Sequence, residues 1–453
     1  MLSSKICLTA NQLIRLISKR EVSAREVATF FLDRIEKWDK KIRAWVFLDR
    51  EKALKQASIV DEKISRGEFP GRLCGIPVGI KDIFNTVDMP TQMGSPLWEG
   101  FTPGNDARVV ANIRLAGGII PGKTVTAEFA VHYQDKTANP HNYQYSPGTS
   151  SSGSAAAVAA SMVPLALGTQ TAGSTIRPAS YCGIYGFKPS FGLIPRTGML
   201  KTADTLDTVS ICSRSVQDLE LLFDIARVHG PDYPVSYEML DDPGRQRPLD
   251  GIWKVALVRG PKWGYVEDYA RAAINGFASR IAKYDGIRVE EVELDKDFEL
   301  AHNIHQVIYD KTLAYYFQEE FKHRALVSEI MYEIISRGNN LKLADYLQAL
   351  EDQVRLSNKL DGFFEKYDLL LTLATPGEAP KGIASPDKPD SCLIWTLCGV
   401  PAVNLPVFKG PNHLPFGAQV VTRKYSDLLL LNFLRELEEK NIIHEVDEID
   451  LEL

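Results

Sequence analysis

The sequence predicts an α/β fold in which helices surround a mostly buried β-sheet. From Gly71 onwards, short apolar runs are broken by glycine and proline, a pattern that is typical of buried strands. Stretches with apolar residues at helical spacing lie between these runs, and such alternation favours α/β layers. The chain has 453 residues, of which 45% are hydrophobic, so it can bury a large core.

The segment 9–66 predicts helices, because apolar residues such as Leu13 and Ile17 recur there at helical spacing. Thr9 and Ser23 are predicted N-caps, each with a polar partner a few residues further on. The apolar runs that follow predict strands at 76–83, 118–123, 162–168, 183–187 and 209–212. Helices are predicted between these strands at 107–116 and 216–227.

The C-terminal half predicts a long helical region from about 265 to 364. Further strands are predicted at 369–373, 403–407 and 416–421, before an amphipathic helix at 426–438. The acidic tail after Ile443 predicts a solvated surface segment. Because the sequence contains no repeat and no linker, we expect one domain over residues 1–453.

Composition excludes several classes of function. The formal net charge is −6 without a basic stripe, which argues against nucleic acid as a partner. The six cysteines form no CxxC pair and the eight histidines are scattered, so we expect reduced cysteines and no metal site. The longest uncharged apolar stretch, 155–168, is too short to span a membrane, and the N-terminus does not resemble a signal peptide. We therefore expect a cytoplasmic protein.

Lys81 lies in an apolar, strand-like run, 75–84, which would remove water from its amine. A buried lysine can lose its proton near neutral pH and then accept one from a hydroxyl group. The alternative is a salt bridge to Asp82 or to another carboxylate. Because neighbouring side chains on a strand point to opposite faces, Asp82 is the less favoured partner.

Two segments of small residues carry candidate nucleophiles, Ser150 in one and Ser174 in the other. In the second segment, the backbone amides of residues 171–174 can converge on a developing oxyanion; the residues are Thr171, Ala172, Gly173 and Ser174. Neither serine lies in a G-x-S-x-G motif. A Ser-His-Asp triad with His132 or His141 is therefore the weaker alternative.

Together these motifs resemble those of the amidase signature family. The resemblance is carried by 75–82, the Ser150 loop, 168–189 and 399–406, and 115–129 also fits. It implies a single α/β/α unit in which helices cover both faces of a large mixed sheet. The implied catalytic core covers about 70–215, and a helical substrate-pocket region covers about 265–364.

The resemblance also assigns roles to the candidate residues. It implies that Ser174 is the acylated nucleophile, Ser150 the bridging serine and Lys81 the general base. It further implies a cis peptide bond between Thr149 and Ser150, and chemistry that needs no metal and no organic cofactor. A homodimer is suggested on the same ground.

The sequence departs from the common family pattern at a few positions. Thr149, Ser152 and Ala172 replace frequent glycines, and Gln170 replaces a frequent aspartate. Arg177 is displaced by one residue and is predicted either to bind a substrate carboxylate or to form a structural salt bridge. Residues predicted to contribute to the substrate pocket are Met93, Tyr133, His305 and Trp395.

The predicted function is hydrolysis of a small-molecule carboxylic amide to an acid plus ammonia or amine. One alternative is the A-type subunit of a glutamyl-tRNA amidotransferase, which would need a partner protein. The substituted glycine loops and the arrangement Ser174-Thr175-Ile176-Arg177 favour a stand-alone hydrolase over such a subunit. Carbamate or ester hydrolysis is a second alternative, and an inactive binding protein is disfavoured because all three candidate catalytic residues are present.

Overall fold

A computed structural model describes residues 8–132, 136–229 and 234–452. Within these ranges, eleven strands form one sheet. The strands are β1 Trp45–Leu48, β2 Val78–Lys81, β3 Gly122–Thr124, β4 Leu165–Gln170, β5 Tyr185–Lys188, β6 Thr208–Ser213, β7 Trp253–Arg259, β8 Ile287–Glu293, β9 Leu369–Leu373, β10 Ala402–Lys409 and β11 Pro415–Val421. Their spatial order is β1-β3-β2-β4-β6-β5-β10-β11-β9-β7-β8.

The sheet is mixed, as predicted. Strand β2 pairs in parallel with β3 and β4, and β7 pairs in parallel with β8 and β9. The central strands β4, β6, β5, β10, β11 and β9 pair antiparallel with one another in that order. Because β2 and β4 are parallel neighbours, their C-terminal ends lie at the same edge of the sheet, where Lys81 and the loop of Ser174 are found.

The described α-helices connect and cover these strands. They are α1 Ala10–Ser18, α2 Ala24–Ile42, α3 Arg50–Ser65, α4 Arg108–Leu115, α5 Ser152–Ala159, α6 Ile176–Cys182, α7 Val216–Ala226, α8 Pro234–Asp241, α9 Asp268–Ile281, α10 Ala301–Tyr316, α11 Gln318–Phe321, α12 Glu329–Asn340, α13 Leu343–Phe363, α14 Cys392–Leu397 and α15 Asp427–Glu439. None of the helices in the described ranges combines the length and apolar character needed to cross a membrane.

Side-chain alternation along the strands builds two separate cores. On β4, Leu165 and Leu167 belong to the larger cluster, whereas Ala166 between them packs with the alanine-rich helix α5. Likewise on β6, Ile211 faces the larger cluster and Cys212 faces the α5 side. The sheet is thus covered on both faces, and its small-residue side accommodates α5 at close range.

Several local predictions are confirmed. Thr9 and Ser23 are N-caps of α1 and α2, and each forms a capping box with the residue three positions on, Gln12 or Glu26. The strand-like runs and the helices 107–116 and 216–227 are present with shifted ends. The cysteines in the described part of the chain are free and buried; Cys7 lies outside it.

Two predictions of all-helical segments are wrong. The segment 9–66 contains strand β1 between α2 and α3. The region 265–364 is not helical throughout, because it contains β8, which pairs with β7. Four of the seven residues of β8 are charged and only Ile287 is buried, which is possible because β8 lies at the edge of the sheet. The acidic tail lies mostly at the surface, as predicted, but two points attach it to the rest of the protein: Leu451 is buried, and the Val446 N–H donates to the Arg214 carbonyl at 2.9 Å.

Candidate active site

Lys81 ends strand β2 with its side chain inside the protein. Gly79 lies on the sheet face that α5 covers, and Lys81 shares this face because strand side chains alternate. The lysine is 0% exposed. Its Nζ lies 2.8 Å from Ser150 Oγ, 3.0 Å from Ser151 Oγ and 2.9 Å from Thr169 Oγ1.

These three contacts fit a neutral amine. Ser151 Oγ donates its proton to the Thr169 carbonyl at 3.1 Å, so it accepts from Lys81. A neutral amine can donate to Ser151 Oγ and Thr169 Oγ1 and direct its lone pair at the hydroxyl proton of Ser150. Burial lowers the pKa of Lys81 to about 7, so the neutral form is populated near neutral pH.

Asp82 points to the opposite face of the strand. Its carboxylate lies 3.0 Å from Lys123 Nζ, and both side chains are buried. The predicted opposition of neighbouring side chains is therefore confirmed, and Asp82 pairs with Lys123 instead of Lys81.

The loop before α5 carries Ser150. Gly148 has a φ of 83°, a conformation that favours glycine, and a Cβ there would crowd the Pro178 backbone at 3.1 Å. The Thr149–Ser150 peptide bond is cis, as the family resemblance implies. The Ser150 carbonyl accepts the Ala127 N–H at 3.2 Å, which fixes this loop against the segment that follows β3.

Ser174 lies in the loop between β4 and α6 and is 7% exposed. The Ser151 N–H donates to the Ser174 carbonyl at 3.1 Å, so the two serine loops are in direct contact. Gln170, the last residue of β4, caps the next helix: its Oε1 accepts the N–H groups of Thr175 and Ile176, each at 3.0 Å. The three predicted catalytic residues therefore lie on adjoining segments.

Gln170 also makes a contact that the usual aspartate could not make. Its Nε2 donates to Thr396 Oγ1 at 3.0 Å, and Thr396 Oγ1 donates to the Ala172 carbonyl at 2.7 Å. A carboxylate has no N–H to start this chain of hydrogen bonds. The departure at position 170 is thus matched by Thr396, a residue far away in the sequence.

Thr171 is held from two sides. Its Oγ1 donates to the Asp207 carboxylate at 2.7 Å, and Asp207 also accepts the Thr202 N–H at 2.7 Å. The His305 Nε2 on α10 lies 2.9 Å from the Thr171 carbonyl oxygen. The helical region thus reaches the candidate site through α10.

The amides at the centre of this loop have no partner in the described ranges. The backbone N–H groups of Ala172, Gly173 and Ser174 donate no hydrogen bond to any residue that the structure describes. These three residues precede α6 and lie outside helices and strands. Their N–H groups can therefore donate to an oxygen atom of a bound molecule.

Arg177 pairs with two carboxylates of the chain itself. Its Nε lies 2.6 Å from Asp390 Oδ2 and its Nη1 lies 2.9 Å from Asp387 Oδ2. Burial alone would lower the pKa of Arg177, but the two carboxylates raise it well above its usual value. The structure therefore shows the structural salt bridge, and binding of a substrate carboxylate by Arg177 stays a prediction.

Met93 lines a cavity of about 350 Å³, whose lining does not include Lys81, Ser150 or Ser174. The Met93 N–H donates to the carbonyl of Asp82, the residue after Lys81, at 3.0 Å. The Met93 carbonyl accepts the Phe129 N–H at 2.7 Å. The Phe129 ring contacts the Phe317 ring with centroids 4.8 Å apart. The lining residues are mostly apolar or aromatic: Ile83, Asn85, Thr91, Met93, Trp98, Phe101, Phe129, Gly198, Met199, Leu200, Lys201, Tyr316, Phe317 and Glu320.

Two of the other predicted pocket residues, His305 and Trp395, do not line this cavity. His305 is buried against the Thr171 carbonyl and Trp395 is fully buried in the core; Tyr133 lies outside the described residues. His141, a member of the alternative triad, has its Nε2 2.9 Å from the Cys182 carbonyl oxygen. In the part of the chain that the structure describes, the Ser150 hydroxyl contacts Lys81 and no histidine.

Several residues that support this site are not predicted from the sequence. Ser151 and Thr169 contact the lysine amine, while Asp207 and Asp387 hold the loops. Ser151 stands in a run of three serines, and the pattern does not distinguish them. Asp207 directly precedes β6, two residues before the predicted strand 209–212, a position from which a carboxylate can reach the end of the sheet.

Comparisons with known proteins agree with this geometry. Residues 26–431 match the family model described as Amidase. The A-type subunit of the glutamyl-tRNA(Gln) amidotransferase from Carboxydothermus hydrogenoformans is 33% identical over 96% of this chain and 98% of its own length. The protein of the same name from Alkaliphilus metalliredigens is 32% identical over 93% and 94% of the two chains.

Solved structures confirm the predicted fold. One is the structure of a vestigial protein complex that reveals the evolutionary origins of an s-triazine catabolic enzyme. It has a TM-score of 0.86 at 26% identity, and the match covers 97% of this chain and 100% of that chain. The native peptide amidase from Stenotrophomonas maltophilia has a TM-score of 0.83 at 24% identity, with 98% of both chains covered. At that identity, the second comparison bears on the fold alone.

Proposed function

Because this chain belongs to the amidase signature family, we propose that it cleaves a carboxamide through an acyl-enzyme on Ser174. The observation that carries the proposal is the buried Lys81 amine, 2.8 Å from Ser150 Oγ and lowered in pKa to about 7. A neutral amine in this position is a base for a serine hydroxyl. The direct contact between the Ser150 and Ser174 loops supports a relay between the two serines.

In the proposed mechanism, Ser174 Oγ attacks the amide carbon and passes its proton to Ser150, whose own proton moves to Lys81 Nζ. The amides of residues 171–174 hold the resulting oxyanion. The same protons then return through Ser150 to the departing nitrogen, the C–N bond breaks, and an ester on Ser174 remains. Water attacks this ester with the same relay as base, which releases the acid and restores the serine hydroxyl.

The pH dependence of the reaction should follow Lys81. Burial lowers the pKa of Lys81 to about 7, and below that value the protonated amine has no lone pair to accept a proton. We therefore expect kcat/KM to rise with pH through about 7 and to level off above it, measured from about pH 5 to 9 on a neutral amide.

A control separates this titration from that of another group. Burial raises the pKa of Glu438 to about 7, so this side chain titrates in the same range. Glu438→Gln should keep the rise in kcat/KM. A profile that is flat across the range, or a rise that disappears in Glu438→Gln, would contradict the assignment to Lys81.

The identity of the amide is a separate question. The relatives that are 33% and 32% identical are A-type subunits of glutamyl-tRNA(Gln) amidotransferases, and they support the alternative prediction better than a small-molecule amidase. In that role, the chain would release ammonia from an amide donor and act together with a partner protein. We propose this as the first candidate role.

The cavity beside Met93 favours a second candidate, hydrolysis of an apolar amide without a partner. The Met93 N–H donates to the carbonyl of Asp82, the residue after Lys81, and the Ala127 N–H, two residues before Phe129, donates to the Ser150 carbonyl. Backbone hydrogen bonds therefore connect the wall of the cavity to the segments that carry the proposed relay. The mostly apolar and aromatic lining favours an apolar acyl group, which needs no polar partner there. The two charged residues of the lining already have partners in the chain, Asp204 for Lys201 and Trp98 for Glu320.

One experiment separates the two roles. The purified chain alone is incubated with L-glutamine, with hexanamide and phenylacetamide, and with the corresponding ethyl esters and carbamates, and ammonia or acid release is measured. Turnover of glutamine above the apolar amides supports the amidotransferase role, and the reverse supports the stand-alone hydrolase. If nothing in the panel turns over and no acyl group is found on Ser174, the proposed chemistry fails for the isolated chain.

A further inference from the structure

We infer that Asp387 is a positioning residue, which holds the loop of Ser150 against the loop of Ser174 through Thr149 and Arg177. The inference rests on the proposed function, because it concerns the two serines of the proposed relay. It extends that proposal to a residue more than 200 positions away in the sequence.

Asp387 contacts the residue directly before the bridging serine. Its Oδ2 accepts the Thr149 backbone N–H at 3.1 Å, and it also accepts the Thr149 hydroxyl. Both donors of Thr149 are therefore bound to one carboxylate, which limits rotation at the position where the chain enters Ser150. This contact gives a physical reason for a threonine where the family frequently has glycine.

The same carboxylate reaches the second loop through Arg177. The Arg177 Nη1 donates to Asp387 at 2.9 Å and to the Thr149 carbonyl at 3.3 Å. A Cβ added to Gly173 would lie 2.7 Å from Arg177 Nη2, so the guanidinium packs against the residue directly before Ser174. One planar cation thus contacts the residues that precede both serines.

A second carboxylate fixes the orientation of this cation. The Arg177 Nε lies 2.6 Å from Asp390 Oδ2, and Asp390 Oδ1 accepts the Cys392 N–H at 3.0 Å at the start of α14. The side chains of Arg177, Asp387 and Asp390 are 8%, 8% and 4% exposed. Buried charge pairs with several hydrogen bonds are geometrically well defined, so the group can set the distance between the loops.

The test measures how reactive Ser174 is in each folded protein. A fluorophosphonate ester reacts with activated serine hydroxyls, and its rate of attachment is followed by intact mass, together with kcat and KM for the preferred amide. Asp387→Asn removes the charge, and Thr149→Val removes the hydroxyl while keeping the shape of the side chain. We expect each change to lower kcat and the phosphonylation rate by at least about tenfold, with KM changed much less.

Two comparisons make the result specific. Thr149→Ser keeps the hydroxyl and should recover most of the rate lost in Thr149→Val. Asp218→Asn makes the same chemical change at another buried carboxylate, which accepts the Ala10 N–H at 2.7 Å at the start of α1. This control should lower the melting temperature without changing the phosphonylation rate of the folded protein.

The outcomes are distinguishable. If the unmodified chain reacts with neither the phosphonate nor any amide, the proposed function fails, and this inference falls with it. If the unmodified chain reacts but Thr149→Val or a folded Asp387→Asn reacts at the same rate, the inference alone is overturned. Equal loss in Asp218→Asn would show a general effect on stability and would also overturn it.

Discussion

Ser174→Ala is expected to lower kcat by at least about 10⁴-fold, because no other atom in the proposed mechanism can form the acyl-enzyme. The residue is buried between β4 and α6, and its carbonyl accepts the Ser151 N–H at 3.1 Å. Alanine keeps this backbone contact, so we expect the fold to be retained. The measurement is product release on the preferred amide, with intact mass of rapidly quenched enzyme to detect the acyl adduct.

A matched serine tests whether the loss is specific. Ser154 is buried on α5, and its Oγ donates to the Leu167 carbonyl at 2.8 Å without a role in the relay. Ser154→Ala should keep activity within about threefold and should still accumulate the adduct. An adduct that maps to Ser150 or Ser151, or activity that persists in Ser174→Ala, would assign the nucleophile to the other loop.

Lys81→Met is expected to lower kcat/KM by about 10²- to 10⁴-fold, the range that a general base typically contributes. Methionine has similar length and fits a buried site, but it cannot accept the Ser150 proton. The rise of activity with pH through about 7 should also disappear, because the titrating amine is absent. Both parts are measured in one series of pH–rate profiles.

Lys188 provides the control for this change. It is also fully buried, burial lowers its pKa to about 7, and its Nζ donates to the carbonyls of Pro189 and Val400. Lys188→Met should lower stability but keep the pH-dependent rise in the folded fraction. If Lys188→Met and Lys81→Met lose activity equally, the loss reflects removal of a buried lysine in general and not removal of the base.

The departures from the family pattern show where prediction from local sequence ends. Thr149 is a β-branched residue in a loop of small residues, and in the structure its N–H donates to the Asp387 carboxylate. Gln170 is an amide in place of a carboxylate, and the structure connects it to Thr396. The sequence identifies both unusual residues, but not the distant partners that accommodate them.

The fold shows the same division. Strands with two buried faces, such as β4 and β9, are predictable because their apolar runs are continuous. Strands β1, β7 and β8 are not predicted. Strand β7 carries a buried apolar run, 255–258, of the same kind as β4 and β9, and the prediction missed it. Strands β1 and β8 form the two edges of the sheet, and β8 pairs with β7 from Ile287 to Glu293. An edge strand rich in charged residues, such as β8, has the same composition as a surface helix, so only its pairing with a neighbouring strand identifies it.

The sequence by itself determined most of the helices and strands, and which lysine and serines could form the site. These properties follow from side-chain polarity and periodicity over a few residues, which act before any distant contact forms. Only the tertiary structure decided the partner of each buried charge: Lys123 for Asp82, and the two carboxylates of Asp387 and Asp390 for Arg177. The physical reason is that a charged side chain needs a partner when it is buried away from water, and the local sequence does not distinguish between the opposite charges that could serve. The packing of the sheet and its helices selects which of these charges lies within hydrogen-bonding distance.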